Sequence, residues 1–425
     1  MRMPLSYRWI EARRDLLAGV TVAAISLPQA MAYALIAGVD PRFGLYSAVV
    51  VTAVASVFGS SSHLINGPTN AISLVVFSAL AFFDPDARYD AYQATFLLAA
   101  MIGTIQILIA AFKLGDLTRY ISESVVLGFM AGAGFLVGLS QISNLLGIRD
   151  QGTGHQHILY RFWLTLAQGG PLNPPALSIG IGTILLVLIL NRLTRRYRLP
   201  PFEMLLALIV AATGAALLGW TIPSAAGKTI VAVVGNVPAS LPAPHIPEIK
   251  FWWVKEMGGS ALAIAFLGLL EALAIAKSIA NRTHQQLDYN RQCRAEGLAN
   301  LVGAFFQCLP GSGSLTRSAI NFQAGAISRM SGLFAAGAVA LVVVLLAPMA
   351  RYVPKPALAG LLLVTATRLI DWGRLRYALR ASGYEHSATL KAVRRVYELL
   401  GDNVCEHCGR RQSIRRGTDA LFYLV

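Results

Sequence analysis

The chain has 425 residues, of which 55% are hydrophobic and 13% charged, and its mean hydropathy is +0.58. So apolar a composition is rare in a soluble domain of this length and is typical of a multi-pass membrane protein. The formal net charge of +15 does not indicate nucleic-acid binding, because the arginines cluster in short segments between apolar stretches, as they do in cytoplasmic loops.

Uncharged apolar segments of a length suited to membrane crossing recur along the chain. In order, the predicted spans are residues 16–39, 43–62, 64–83, 91–112, 124–148, 176–191, 204–220, 257–276, 297–309, 310–328, 330–349 and 357–367. When the crossings are counted, every arginine-rich connection falls on the side of the N-terminal arm, residues 1–15. The sequence therefore predicts about twelve spans with a cytoplasmic N-terminus, and residues 155–175 are predicted to be an outer loop.

Two of the apolar stretches contain residues that break a helix. The first break is Asn66 to Asn70, and the second is Pro310 to Gly325, which includes Arg317. Non-helical backbone at membrane depth is tolerated only where protein covers it or where it lines a cavity. We expect a half-helix to begin after each break, at Ala71 and near Leu315, with free N–H groups and a positive dipole end facing an anion site. The alternative is that the second break is an ordinary surface loop.

The two breaks occupy matching places in the chain. Each is the third element of its half, if the second half begins near Met257. An odd number of spans per half gives the halves opposite orientations, and paired broken helices in inverted repeats indicate a binding site at the midplane. The predicted fold class is therefore an all-α polytopic membrane protein of the inverted-repeat transporter type, with two half-helices meeting at the midplane.

Several motifs resemble those of the SulP sulfate-permease family of anion transporters. They are residues 15–22 and 27–34 in the first span, 44–47 and 58–61 in the second, 67–73 in the third, and 311–318 and 321–326 in the tenth. The resemblance extends over residues 10–380. It implies seven plus seven inverted spans, divided into a core domain that slides as an elevator against a gate domain, with a cytoplasmic STAS domain usually following.

The resemblance also implies a division of the chain. The expected parts are an N-terminal arm (1–15), the first parts of the core (16–115) and gate (116–222), an external connection (223–256), the second parts of the core (257–350) and gate (351–380), and a charged cytoplasmic tail (381–425). Residues 368–425 contain eleven Lys/Arg and six Asp/Glu and no uncharged run long enough to span. Spans thirteen and fourteen and the STAS domain are therefore expected to be missing, which leaves the second repeat incomplete.

Two residues of the first span are candidates for substrate binding. The neutral amide of Gln29, next to Pro28, can donate a hydrogen bond to an oxyanion, and the resemblance puts it beside the substrate. Tyr33 lies one turn further on the same helical face and matches an aromatic pocket position of the family. The alternatives are that Gln29 binds the carbonyls freed by Pro28 and that Tyr33 only packs.

The remaining candidates lie where the half-helices begin, because the first N–H groups of a helix have no partners within it. They are Thr69, Asn70 and Ala71 in the first break, and Ser314, Leu315, Thr316 and Arg317 in the second. The hydroxyl and amide side chains have helix capping as an alternative role. Arg317 matches a basic position of several animal relatives, and its alternative role is an ion pair.

Glu271 is the candidate for ion coupling. It is the only acidic residue between Met257 and Ala276, and a carboxyl group inside a membrane is a functional candidate by default. The hypothesis is that Glu271 carries a proton with the anion. An ion pair with Arg317 and a sodium site remain alternatives.

The sequence leaves three functions open. They are a secondary anion carrier of the sulfate, bicarbonate or dicarboxylate class, a nucleobase permease of the same fold, and a truncated product that does not transport. An enzyme is not expected, since no nucleophile–base pair or complete metal set is visible, and no cofactor is expected; Cys405 and Cys408 form at most half of a zinc site. The expected partners are a small anion, a proton or sodium ion, the lipids of a bacterial inner membrane and, as one possibility, a second copy of the chain.

Overall fold

The structure, a computed structural model, describes residues 9–83, 90–114, 123–152, 156, 158–197, 202–223, 229–235, 238–369 and 373. These residues form thirteen α-helices, two strands of two residues and one 3-10 helix, Ala347–Tyr352. The first eight helices are α1 (Trp9–Ile36), α2 (Pro41–Phe58), α3 (Asn70–Phe83), α4 (Ala91–Ala111), α5 (Glu123–Leu146), α6 (Ile158–Gln168), α7 (Pro174–Tyr197) and α8 (Glu203–Leu217). The others are α9 (Phe251–Thr283), α10 (Tyr289–Ala304), α11 (Leu315–Gln323), α12 (Met330–Leu346) and α13 (Lys355–Leu369), and the strands are β1 (Asn66–Gly67) and β2 (Ser312–Gly313).

Among the described residues, five helices are long and apolar enough to cross a membrane, namely α1, α2, α4, α7 and α9. Several shorter helices, including α3, α8 and α12, are equally apolar. Most predicted spans coincide with a helix to within a few residues, and both predicted breaks interrupt their helices where expected. The helical content follows from the requirement that each backbone N–H and C=O inside a bilayer has an internal partner.

Two expectations about the elements are wrong. The outer loop predicted at residues 155–175 contains helix α6, because Ile158–Gln168 has no proline or glycine and is rich in apolar residues. The ninth span was expected from Gly297, but α10 already begins at Tyr289. The predicted span excluded Glu296 because a charged residue ends an apolar run in the sequence. In the structure, Glu296 lies within α10, where it is 1% exposed and hydrogen-bonded.

The helices pack in two groups. In one group, α1–α4 pack with α9–α12, and its buried core includes Leu98 and Ile264. In the other group, α5, α7, α8 and α13 pack with one another. These helices contribute to a second buried core, which includes Ala207 and Leu358. The groups meet where α1 contacts α8 and α13, and where α3 contacts α5.

Helices α4 and α10 approach each other closely because glycines face each other across the contact. A Cβ atom on Gly103 would lie 2.4 Å from the backbone nitrogen of Leu301, and one on Gly297 would lie 2.7 Å from that of Ile107. Small residues allow such backbone contact between membrane helices. The close approach brings the polar face of α10 against the two breaks.

The predicted charged tail (381–425), the loss of spans thirteen and fourteen, and the Cys405–Cys408 motif lie outside the described residues. So do residues 1–8 of the N-terminal arm and most of the segment that follows α13.

Candidate functional site

The two breaks in the helices meet and pair. Strands β1 and β2 are antiparallel, with Asn66 opposite Gly313 and Gly67 opposite Ser312. The pairing continues where the backbone N–H of Ser314 donates to the carbonyl of Ile65 at 2.9 Å. Because the strands are antiparallel, α3 and α11 leave the pair in opposite directions, as two inverted halves require. The first N–H groups of each half-helix therefore lie beside the paired strands.

Arg317 connects the second break to the first. It is the third residue of α11 and is fully buried, and its Nη2 donates to the carbonyl of Pro68 at 2.8 Å. The guanidinium fits there because Gly67 has no side chain: a Cβ atom at Gly67 would lie 2.9 Å from Nη1. The Nε and Nη1 atoms of Arg317 have no hydrogen-bond partner in the described protein. A buried cation with free donors thus lies between the two half-helix N-termini.

Glu271, on α9, is linked to the first break. Its side chain is 7% exposed, and its Oε2 accepts a hydrogen bond from Thr69 Oγ1 at 3.1 Å. The same hydroxyl also accepts a hydrogen bond from the backbone N–H of Ile72 at 3.4 Å. Thr69 therefore caps α3 and binds the carboxyl group of Glu271 at the same time. The expected alternative, an ion pair with Arg317, is not formed among the described residues, since no carboxylate oxygen lies within 4.0 Å of that guanidinium.

Helix α1 contributes the two residues expected of it. Gln29 and Tyr33 are each 3% exposed. Gln29 does not bind the carbonyls freed by Pro28: its Nε2 is 3.8 Å from Met204 Sδ on α8, and its Oε1 has no partner. Tyr33 lies close enough to Arg317 and Glu271 to interact electrostatically with both. Its hydroxyl therefore belongs to the same polar region.

The structure places the remaining candidates at the half-helix starts in different environments. Ala71 is buried, and Asn70 is buried with neither side-chain polar atom bonded to the described protein, so it does not cap α3. Ser314 is 6% exposed and makes no side-chain cap bond on α11, so the capping alternative fails there too. Leu315 is 38% exposed, and any contribution it makes to a ligand comes from its backbone.

Sequence reasoning missed a set of buried polar residues on α10. Gln292, Glu296 and Asn300 are each at most 2% exposed and lie on one face of the helix. Glu296 accepts a hydrogen bond from Asn66 Nδ2 in β1, and Asn300 Oδ1 accepts one from the backbone N–H of Gly311 at 2.8 Å. The four-residue spacing was visible in the sequence, but the predicted span began one residue after Glu296.

Comparison with known proteins identifies the family. The model of the sulfate permease family matches residues 13–390. The chain belongs to the sulfate permease family. The match covers the first and second breaks and every candidate site residue, as the SulP motifs led us to expect. Family membership and the apolar helices together make the chain a multi-pass integral membrane protein.

Two curated relatives illustrate the extent of the similarity. The sodium-independent sulfate anion transporter of Bos taurus is 32% identical over 400 residues, which are 86% of this chain and 63% of that protein. The chloroplastic sulfate transporter 4.1 of Arabidopsis thaliana is 30% identical over 383 residues, 90% of this chain and 55% of that protein. The chain thus spans about half the length of the plant relative and under two thirds of the bovine one. Both are transporters by name, in agreement with the expectation of a non-enzymatic protein.

Two solved structures share the fold. The transmembrane domain of the cyanobacterial bicarbonate transporter BicA matches with a TM-score of 0.82 at 24% identity, covering 93% of this chain and 97% of that one. The murine Solute Carrier 26 family member A9, an anion transporter in the inward-facing state, matches with a TM-score of 0.82 at 21% identity, covering 93% and 69%. The all-α inverted-repeat fold with two half-helices at its centre is thereby confirmed.

Proposed function

We propose that this protein is a secondary anion carrier of the sulfate, bicarbonate or dicarboxylate class. The observation that carries the proposal is the placement of Arg317, a fully buried cation that reaches from one half-helix to the backbone of the other and retains two unbonded nitrogens. Two half-helix N-termini add positive dipole ends to the same place. An oxyanion satisfies all of these donors, whereas a cation is repelled by each of them.

Neutral donors in the first turn of α3 suit an anion with several oxygens. The side-chain amide of Asn70 and the hydroxyl of Ser73 are buried and have no partner in the described protein. A buried polar group without a hydrogen bond is costly, so a ligand that bonds these groups gains their unmet bonding capacity. The tyrosine hydroxyl of Tyr33 adds another donor near the cation.

We propose that transport follows an elevator mechanism. Both breaks, Arg317 and Glu271 belong to the helix group α1–α4 with α9–α12, which corresponds to the expected core domain, 16–115 and 257–350. The group α5, α7, α8 and α13 corresponds to the expected gate, 116–222 and 351–380. The contact between Gln29 and Met204 lies at the boundary of the two groups. A hydrogen bond to a thioether sulfur is weak, so this contact does not oppose sliding of one group past the other.

Uptake by purified protein in liposomes tests the proposed function. Labelled sulfate, bicarbonate, fumarate and uracil are offered separately, with and without an inward proton gradient. We expect uptake of at least one of the three anions and none of uracil. Uptake of uracil alone indicates a nucleobase permease, and no uptake of any compound by folded protein indicates a product that does not transport.

We propose that Glu271 couples anion uptake to the movement of a proton. Its carboxyl group is bonded to Thr69 at the start of α3 and interacts electrostatically with Arg317, so its charge acts on both half-helices. With the carboxyl group protonated, Arg317 gives the site a net positive charge. With it ionised, the two charges compensate each other and an anion is held less tightly.

Replacement of Glu271 by glutamine is expected to uncouple uptake from the pH gradient. The amide keeps the shape of the side chain and a neutral state, so anion binding remains within about threefold of wild type, while the stimulation of uptake by a proton gradient is lost. The measurement is initial uptake at several imposed gradients. Glu256→Gln, the same change at an exposed position of α9, is the matched control. Full gradient stimulation in Glu271→Gln contradicts the coupling role, and stimulation by sodium instead of protons in wild type reassigns it to sodium.

We propose that the protein lies in a bacterial inner membrane with its N-terminus in the cytoplasm, because the arginine-rich connections all fall on that side in the predicted topology. Labelling of single cysteines by a membrane-impermeant reagent in intact cells tests this orientation. Reaction of a cysteine in residues 192–197 from outside the cell contradicts it.

A further inference from the structure

Helix α10 carries a column of polar side chains that the proposed transport mechanism does not use. Gln292, Glu296 and Asn300 follow one another at intervals of one helical turn, and their exposed fractions are 2%, 1% and 1%. Arg294, on the other side of the helix, is exposed. Buried polar groups are costly unless they are bonded, and each member of this column is bonded to another segment of the chain.

The first half of the column is bonded to the first break and to the loop that leads into it. The two carboxyl oxygens of Glu296 accept hydrogen bonds from Asn66 Nδ2 in β1 and from Gln292 Nε2, the latter at 3.0 Å. Gln292 Oε1 in turn accepts from the backbone N–H groups of Ser60 at 2.9 Å and Ser61 at 3.2 Å. No lysine or arginine of the described chain lies within 4.0 Å of the Glu296 carboxylate, so amide groups alone hold it.

The second half of the column is bonded to the second break. Asn300 forms two hydrogen bonds with the backbone of Gly311: its Oδ1 accepts from the N–H at 2.8 Å, and its Nδ2 donates to the carbonyl at 3.1 Å. The same Nδ2 also donates to Gln106 Oε1 at 2.9 Å. Gln106 Nε2 then donates to the carbonyl of Ala265 on α9 at 3.2 Å. The network therefore joins the second break to α4, α9 and α10.

We infer that α10 positions both half-helix N-termini through this column, with Glu296 fixing the first break and Asn300 fixing the second. Asn300 bonds the backbone of the second break at Gly311, which has no helical partner and, inside a bilayer, no water to replace one. Glu296 holds the first break through the side chain of Asn66. One rigid helix that bonds both breaks keeps the two N-termini, and the guanidinium that joins them, in a constant relation. Since α10 packs on α2, α4 and α9, this relation is independent of contacts with the other helix group. Glu296 and Asn300 are thus positioning residues for the anion site of the proposed function, on which the binding part of this inference rests.

Hydrogen exchange of backbone amides, followed by mass spectrometry on the purified full chain in detergent micelles, tests the positioning directly and does not depend on transport. We expect Glu296→Ala to speed exchange about tenfold in peptides covering residues 65–73, with a smaller change in residues 309–318. Asn300→Ala is expected to speed exchange more in residues 309–318 than in residues 65–73. Thr95→Val is the control, because Thr95 is fully buried on α4 but its hydroxyl bonds only to Ala91 of the same helix. It should change neither peptide.

Sulfate affinity of the same variants, measured by calorimetry, tests the consequence for the site. We expect both alanine variants to bind sulfate about tenfold more weakly, with Glu296→Gln, which retains one acceptor oxygen, between Glu296→Ala and wild type. The double variant Asn66→Ala with Glu296→Ala should bind sulfate no more weakly than whichever of the two single variants binds it less tightly. Both changes remove the same contact. Additive losses in the double variant contradict action through Asn66.

The outcomes separate this inference from the proposed function. Equal acceleration of exchange throughout the chain, or the same acceleration in Thr95→Val, overturns the positioning role and leaves a general loss of stability. If wild type binds none of sulfate, bicarbonate and fumarate while the two breaks respond selectively, the proposed function is wrong and the positioning role stands; if it binds only one of the other two anions, that anion replaces sulfate in the affinity measurement. If Glu296→Ala does not fold, Glu296→Gln carries both measurements, and unchanged exchange in residues 65–73 in that variant overturns the role of Glu296.

Discussion

Replacement of Arg317 by alanine is expected to weaken anion binding roughly tenfold to a hundredfold, since a buried charge-assisted hydrogen bond to an oxyanion contributes about 1.5–3 kcal/mol. The guanidinium is fully buried and two of its nitrogens have no partner in the described protein. Arg317→Lys should retain part of the affinity, because the charge remains but lysine lacks the planar fork with which a guanidinium can bond Pro68 and an oxyanion at the same time. Calorimetric titration with sulfate and bicarbonate measures the change.

Two controls distinguish loss of a ligand contact from loss of structure. Arg294→Ala removes an arginine that is exposed on α10 and should leave anion affinity unchanged. A purely structural pairing of Arg317 with Glu271 predicts instead that Arg317→Ala lowers the melting temperature and that adding Glu271→Gln restores it. Unchanged anion affinity in a well-folded Arg317→Ala protein removes Arg317 from the site.

Replacement of Gly311 by alanine is expected to destabilise the fold by about 3 kcal/mol or more, because it forces the two breaks apart. A Cβ atom on Gly311 would lie 2.6 Å from the carbonyl oxygen and 2.7 Å from the carbonyl carbon of Gly67, and backbone atoms of a paired strand cannot turn aside as a side chain can. The displaced strand also carries the Gly67–Arg317 contact. We therefore expect loss of anion binding and a lower melting temperature together.

Gly337→Ala is the matched control for this variant. Gly337 lies within α12, and a Cβ atom there would meet no atom within 4 Å. The same substitution should be neutral or slightly stabilising, by up to about 1 kcal/mol, because alanine favours a helix over glycine. Thermal unfolding in one detergent compares the two variants. Equal melting temperatures for Gly311→Ala and wild type contradict the close approach of the two breaks.

The path of the chain through the two breaks was predictable because the constraint is local. Glycine and proline within an apolar stretch interrupt a helix wherever they occur, and a bilayer tolerates the interruption only at a covered or cavity-lining position. The starts of α3 and α11 were therefore placed to within one residue, at Asn70 and Leu315. The isolation of Glu271 and Arg317 in apolar segments marked them for the same reason, although their roles remain proposals.

The contacts of these residues were not predictable from their positions in the sequence. An ion pair between Arg317 and Glu271 was the alternative to their proposed roles, because opposite charges in a membrane often pair. In the structure the guanidinium bonds the carbonyl of Pro68, which is freed by the break, and Glu271 bonds Thr69. The sequence does not show which carbonyl is free, since every residue has a carbonyl group. Only the pairing of β1 with β2 brings the carbonyl of Pro68 within reach of Arg317.

The sequence by itself determined the membrane class, the helical segments, the two breaks and the family, because hydropathy, helix-breaking residues and motifs are properties of neighbouring positions. The meeting of the two half-helices followed from the inverted repeat, but only the tertiary structure decided which residues bond one another. Arg317 and Pro68 are 249 positions apart, and Asn66 and Glu296 are 230 apart. Such contacts arise from the packing of α10 against α4 and from the antiparallel pairing of the breaks. Glu296 is buried and hydrogen-bonded within α10, although its charge alone had excluded it from the predicted span.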